Sequence, residues 1–239
     1  MNLSTLYLFP NLLADLQTHT DQLPSAVDRA VASIDVLIAE SEKGGRRFLR
    51  RFTFAEPKTF RDVPIRMLNE HTTPQEKKEL LNAIEKGGKW GLISDCGMPC
   101  LADPGADLVL MARGKGVRVE AFAGPSSILL ALVLSGLGGQ HFTFHGYLPK
   151  EEKDLVRALK TIEETSDKAH STHLFIETPY RNQRLFTLLL NVLQPSTWVS
   201  IACDLTSETE QVWTLKVAEW KKIALPELNK RPCVFCLKS

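Results

Sequence analysis

The sequence predicts an α/β fold built as two α/β domains, the first with a mainly parallel sheet and the second with a mixed one. Three observations lead there. Short apolar runs alternate with segments of helical periodicity along the whole chain, the pattern of a sheet whose strands are joined by helices. The length of 239 residues allows one to two domains, each able to bury a core of its own. The last three apolar runs, Val199 to Asp204, Val212 to Val217 and Cys233 to Leu237, have no long helix between them and suit an antiparallel group.

Taken in order, Leu6 to Phe9 is a strand, Pro24 to Ser33 a helix, and Val36 to Ala39 and Ile65 to Leu68 are strands. Thr73 to Lys86 is a helix with its own start signal: Thr73 as N-cap, Pro74 at the first helical position and Glu76 closing a capping box, with the Leu80, Leu81 and Ile84 stripe behind them. The Gly87-Gly88 pair ends it. Trp90 to Ser94 is a buried strand, Ala106 to Arg113 a helix and Val117 to Phe122 a strand. Ser126 to Leu134 is almost wholly apolar, which predicts a helix buried on all sides. A domain boundary is expected near Gly124, giving domains 1–124 and 125–239. In the second, Phe142 to Gly146 and His173 to Glu177 are strands, Leu155, Leu159 and Ile162 mark a helix between them, and Arg184 to Leu193 is a further helix.

Composition narrows the function. Lys plus Arg is 29 against 28 Asp plus Glu, a net charge of +1, which excludes coating nucleic acid through bulk charge but not through a local patch. No apolar run reaches 18 residues, so no membrane span is expected, and Met1 to Pro10 lacks the basic start of a secretory signal. Five cysteines, an odd and sparse set, suggest free thiols in a reducing cytoplasm. The phosphate loop of nucleotide hydrolases, the G-x-G-x-x-G fingerprint, H-E-x-x-H and G-x-S-x-G are all missing. Cys233 and Cys236 are three apart in a predicted strand, where such residues face opposite ways, so no metal site is expected.

The segment richest in chemistry is Ser94-Asp-Cys-Gly-Met-Pro-Cys-Leu-Ala-Asp-Pro-Gly105, between a buried strand and a helix. Ligands of open α/β sheets bind beyond the carboxyl ends of strands. Asp95 would stand there as an acceptor, Gly97 would let a ligand approach the backbone, and Asp103-Pro104 would open the next helix as N-cap and first residue. Ala123-Gly-Pro-Ser-Ser127 is a second loop of this kind, whose serines either cap the next helix or meet a small polar ligand.

These loops, in this order, resemble the tetrapyrrole methylase superfamily, and within it the ribosomal RNA small subunit methyltransferase I branch. The resemblance continues through Gly124-Pro-Ser126, Ser135 to Leu137, Phe144-His-Gly-Tyr-Leu-Pro149, Phe175-Ile-Glu-Thr-Pro-Tyr-Arg181 and Ala202-Cys-Asp-Leu-Thr206. It implies a methyltransferase using S-adenosylmethionine, bound in a cleft between the two domains of a homodimer, with ribosomal RNA or the small ribosomal subunit as partner and a ribose 2′-oxygen as one acceptor. The donor contacts it implies are Pro10, Asp95, Gly97 and Met98, then Ser126 and Ser127, then Ile176 and Ala202 or Cys203, with a last region around Arg231-Pro232. A ribose hydroxyl acceptor would gain from a general base, and Glu40, Asp103 and Glu177 are the candidates at strand ends and loops.

The chain departs from that branch in places. Leu8-Phe-Pro-Asn-Leu-Leu-Ala-Asp15 carries no glycine where the branch has a glycine loop, and Glu40-Ser-Glu-Lys43 replaces its E-D-T-R. Methylation of a tetrapyrrole or other small molecule, or non-catalytic binding of the donor, therefore stand as alternatives. One feature favours RNA: Lys43, Arg46, Arg47, Arg50 and Arg51 fall within nine residues. On a helix, Arg46 with Arg50 and Arg47 with Arg51 would stack one turn apart, as a phosphate-binding patch on one reading and a solvated helix face on the other.

Overall fold

The computed structural model describes residues 4–14 and 18–239; Met1 to Leu3 and Asp15, which figure in the sequence reading, lie outside the described residues. Chain contacts divide it into two compact units, Met1–Ser126 and Ser127–Ser239. Among the described residues no helix is long and apolar enough to cross a membrane.

The first unit is a five-stranded, wholly parallel sheet of β1 (Thr5–Leu8), β2 (Val36–Ala39), β3 (Ile65–Met67), β4 (Lys89–Leu92) and β5 (Arg118–Ala121), in the order β3-β2-β4-β1-β5. Helices α1 (Ser25–Ala32) and α2 (Glu42–Leu49) cover one face. There Val27, Val31, Phe48 and Leu49 pack with Phe9, Leu37 and Ala39. Helices α3 (Pro74–Glu85) and α4 (Ala106–Gly114) cover the other, where Leu80, Leu81, Ile84, Leu108 and Ala112 meet Leu6, Ile38, Trp90 and Leu92. The capping box of α3 forms as its sequence predicts: Thr73 Oγ1 accepts from the Glu76 N–H and the Glu76 carboxylate accepts from the Thr73 N–H at 2.7 Å. From β1 the chain winds towards β2 and β3; from β4 it winds the other way to β5. The strand order therefore reverses between β1 and β4, the place where open α/β sheets bind ligands beyond the carboxyl ends of their strands.

The second unit holds α5 (Ser127–Ser135), β6 (Phe142–Tyr147), α6 (Glu152–Ala169), β7 (Thr172–Ile176), α7 (Asn182–Val192), β8 (Trp198–Cys203), β9 (Gln211–Lys216), α8 (Val217–Trp220) and β10 (Cys233–Lys238). Its sheet runs β6-β7-β10-β8-β9; β6 and β7 are parallel, and β8, β9 and β10 pair antiparallel, as their close spacing predicts. Helices α6 and α7 bury Leu155, Leu159, Phe186 and Leu189 against Phe175, Phe235 and Ile201.

The structure corrects three expectations. Helix α5 is not buried on all sides: Ile128, Ala131 and Leu132 are buried, but Val133 is 75% exposed and Leu129 49%. Asp103 does not cap α4, because two more residues of loop follow it and Gly105, at φ +126°, takes the N-cap position. Val217 is not the end of a strand but the start of the short α8, which seats the fully buried Trp220, its indole N–H donating to the Val199 carbonyl at 3.0 Å.

Candidate functional site

In the first unit the expected residues gather at the carboxyl ends of the strands. Beyond β2, Glu40 Oε1 accepts the Asp95 main-chain N–H at 2.9 Å. Ser41 then caps α2, its hydroxyl accepting from the Gly44 N–H at 2.9 Å. A Cβ at Gly44 would collide with the Asp95 carboxylate and the Ser41 hydroxyl, so glycine here is what lets that carboxylate lie against the start of the helix. Beyond β4, the buried Ser94 donates to the Cys96 carbonyl at 3.0 Å, Asp95 is exposed, and Gly97 turns at φ +72° ahead of the half-buried Met98. Beyond β1, Pro10 lies against Gly124, where a Cβ would overlap its ring; Ser126 closes the unit, buried. Pro10, Asp95, Gly97, Met98 and the 123–126 loop thus form one rim beyond the strand ends.

The electrostatics of that rim are set by three carboxyls. Asp103 is pushed up to about 6, by burial first and then by the charges of Glu40 and Asp95, while a hydrogen bond with Ser94 works the other way. Glu40 is also raised, by burial first, with the Asp95 N–H opposing and the charges of Asp95 and Glu70 adding to it. A carboxyl poised near neutral pH beside a strand-end loop suits proton transfer.

In the second unit the residues align across the sheet. Val234 of β10 pairs with Ile176 on one side and Ala202 on the other, so these two expected contacts share a row and a face. Helix α5 packs on the sheet, and Thr214 Oγ1 donates to the Ser135 carbonyl at the end of the helix at 3.0 Å. Glu177 is not a free base: its carboxylate, 7% exposed, accepts from Arg181 and from the Thr178 N–H, both at 2.6 Å. Arg231 is a hub, with Nε donating to Asp204 at 2.7 Å, Nη1 to Gln211 at 2.7 Å and Nη2 to the Thr209 carbonyl at 3.0 Å. Around this edge Arg181 Nε, Asn182 Oδ1 and Thr206 Oγ1 are buried without a partner. Orphaned polar atoms of this kind need one, and a polar ligand would supply it.

The basic run divides. Helix α2 ends at Leu49, and Arg50, its C-cap, is still helical in backbone and donates its N–H to the Arg46 carbonyl at 3.1 Å, so Arg46 and Arg50 stand one turn apart as expected while Arg51 lies beyond the helix. Arg46 pairs with Glu42 and donates to the carbonyls of Phe60 and Val63 at 2.9 and 2.8 Å, fastening the following loop. Arg51 donates to Asn11 Oδ1 at 2.7 Å, while Arg47 and Arg50 are exposed.

The profile of the tetrapyrrole (corrin/porphyrin) methylases matches residues 18–221. The chain belongs to that family. As a tetrapyrrole methylase family member it is a methyltransferase. It is 31% identical over 214 residues to a ribosomal RNA small subunit methyltransferase I of Vibrio cholerae, covering 90% of this chain and 69% of that one. A protein of the same name from Thermotoga maritima is 28% identical over 195 residues, 80% of each chain. Among solved structures, the methyltransferase CobJ superposes with a TM-score of 0.63 at 13% identity over 98% of this chain and 92% of that one. The uroporphyrin-III-C-methyltransferase of Thermus thermophilus superposes at 0.54 and 15% identity, over 98% and 94%. These two likenesses show the α/β fold of the family. Sequence reasoning missed Asn11, Ser41 and Gly44 in this site. A glycine pair, Gly44-Gly45, in the first turn of a serine-capped helix was the available signal for Gly44.

Proposed function

We propose that this methyltransferase moves the methyl group of S-adenosylmethionine to a ribose hydroxyl of small-subunit ribosomal RNA. The observation that carries the reading is the Ser94–Gly105 loop at the reversal of strand order, with Glu40, Asp95 and Asp103 converging on it. Support for the acceptor comes from the names of the relatives and from the basic segment that starts beside this rim. Between Glu42 and Arg66 stand eight Lys and Arg and three acids, in a chain of net charge +1.

In the first unit Pro10, Asp95, Gly97, Met98 and Ser126 would hold the donor, and in the second Ser127, Ile176 and Ala202 are the donor contacts that the resemblance implies. The unpartnered buried atoms of Arg181, Asn182 and Thr206 fit a polar ligand at the second of these edges. S-adenosylmethionine supplies an already electrophilic methyl group, so alignment is the main task left to the protein. Asp103 accepts the hydroxyl proton, and Glu40 keeps the Asp95 loop in register. The reading includes a homodimer, as in the resemblance noted above.

The test incubates the protein with labelled S-adenosylmethionine and small ribosomal subunits from cells lacking it. Label at one ribose position of the RNA is expected. Label absent from RNA but present on an added tetrapyrrole would move the acceptor to a small molecule. Calorimetry showing no uptake of donor or of S-adenosylhomocysteine by folded protein would leave a non-catalytic module.

A further inference from the structure

Asn11 lies three residues beyond the end of β1, after Phe9 and Pro10. Its side chain is 2% exposed and uses all its hydrogen-bonding capacity. Nδ2 donates to the carbonyls of Ser94 and Asp95, each at 3.0 Å. Oδ1 accepts from the Leu12 N–H at 2.9 Å and from Arg51 Nη1 at 2.7 Å. Its main chain forms a two-bond bridge with Gly97: Asn11 N–H to the Gly97 carbonyl at 2.7 Å and Gly97 N–H to the Asn11 carbonyl at 3.2 Å.

We infer that Asn11 and Arg51 are positioning residues for the donor-binding loop, a side-chain lock between the end of β1 and the Asp95–Met98 turn. The inference rests on the donor site proposed above. Asn11 fixes the Asp95–Met98 turn against β1, and Arg51 fixes Asn11. A buried amide can be turned over, exchanging its oxygen and nitrogen, unless a neighbour forbids it. The guanidinium does so: reversed, the amide would set its NH₂ against a cation and its oxygen against the Ser94 and Asp95 carbonyls. A charge-assisted bond is also the stronger kind. Arg51 thereby acts through Asn11 on the loop and has no need to touch donor or acceptor.

The experiment is amide hydrogen exchange on the full chain, with calorimetric titration of S-adenosylmethionine alongside. In Arg51→Met the Asn11 and Gly97 amides should exchange roughly tenfold faster, equivalent to about 1.4 kcal/mol, while the Leu37 and Ile93 amides of the sheet keep their rates. The KM for donor should rise by a similar factor, with kcat at saturating donor changed less than about twofold. Arg51→Lys retains a cation on Oδ1 and should restore both readouts. Unchanged exchange at Asn11 and Gly97 in Arg51→Met overturns the lock, as does loosened exchange with donor affinity intact. Should Arg51→Met fail to fold, Asn11→Asp decides: it keeps the partner of Arg51 but removes the donors to Ser94 and Asp95, and must loosen the same turn. A wild-type protein that binds no donor would sink the proposed function instead, and the exchange rates would still decide the lock.

Discussion

Glu40 Oε1 and the Asp95 N–H, 2.9 Å apart, tie the ends of β2 and β4 together through a carboxylate. That bond holds Glu40 close enough to Asp103 for its charge to add to the burial that lifts Asp103 to about 6. The strap and the raised acid are one arrangement, and its consequences can be measured.

The first concerns Asp103 and pH. Its folded-state value of about 6 lies above the ordinary 3.8, so the folded protein holds this proton more tightly than the unfolded chain. The resulting cost to stability is absent below the ordinary value, grows between there and about 6, and stays constant above. Asp103→Asn should therefore stabilise the protein above pH 6, by about 1 kcal/mol after allowing for solvent screening of a half-buried group. It should do nothing near pH 3.5. Thermal melts at the two pH values check this. If Asp103 accepts the acceptor's proton, the same variant also loses the rise in methylation rate through pH 6, and an unaltered pH–rate profile would remove it from that role.

A second outcome separates two glycines that composition cannot distinguish. A methyl at Gly44 meets the Asp95 carboxylate and the Ser41 hydroxyl; a methyl at Gly114, in the last turn of α4, meets nothing within 4 Å. Gly44→Ala should cost about 1 to 3 kcal/mol and weaken donor binding, whereas Gly114→Ala should gain about 0.5 to 1 kcal/mol. Denaturant midpoints for the pair measure both, and equal midpoints would refute the crowding at Gly44.

What was legible in the sequence follows from how local each signal is. The α3 capping box lies within four consecutive residues, and the structure reproduces it bond for bond. The Ser94–Gly105 loop was legible because turn residues crowd between a strand and a helix. Asp103 was misread because Asp-Pro is a common helix start, and nothing nearby in the chain announces that Glu40, far away in sequence, will face it. Arg46 and Arg51 were read by spacing alone as a solvent-facing patch. Their partners are the carbonyls of an irregular loop and the side chain of Asn11, 40 residues earlier, which periodicity cannot reach. The outer face of α5 was misjudged because an apolar stripe all round a helix states what is apolar, not what is covered.

In the second unit, Arg231 joins Asp204, Gln211 and the Thr209 carbonyl through three separate nitrogens. Lysine offers one flexible ammonium in place of this planar fork. Arg231→Lys should thus lose about 1 to 3 kcal/mol of stability by stranding the half-buried Asp204 carboxylate and a carbonyl. Donor affinity should fall with it, since the same hub orders the edge that carries Ala202. Urea unfolding and donor titration measure the two effects, and a fully stable Arg231→Lys protein would show that the hub is dispensable.

The basic segment makes the last prediction, because its arginines now fall into two kinds. Arg50 is exposed, like Lys43 on the same helix, whereas Arg46 is fastened to the Phe60 and Val63 carbonyls. Neutralising a cation that meets a phosphate weakens binding to all sequences alike and lowers the slope of log affinity against log salt by about 0.7 to 0.9 per contact. Lys43→Gln with Arg50→Gln should therefore reduce that slope by about 1.4 to 1.8 for small-subunit RNA, while melting temperature and donor affinity stay at wild-type values. Arg46→Gln should do the reverse. Its loss strands loop carbonyls and lowers the melting temperature, and any fall in RNA affinity comes without a change of slope. Binding titrations at several salt concentrations distinguish the cases, and a slope unmoved by the double substitution would place the RNA on another face of the protein.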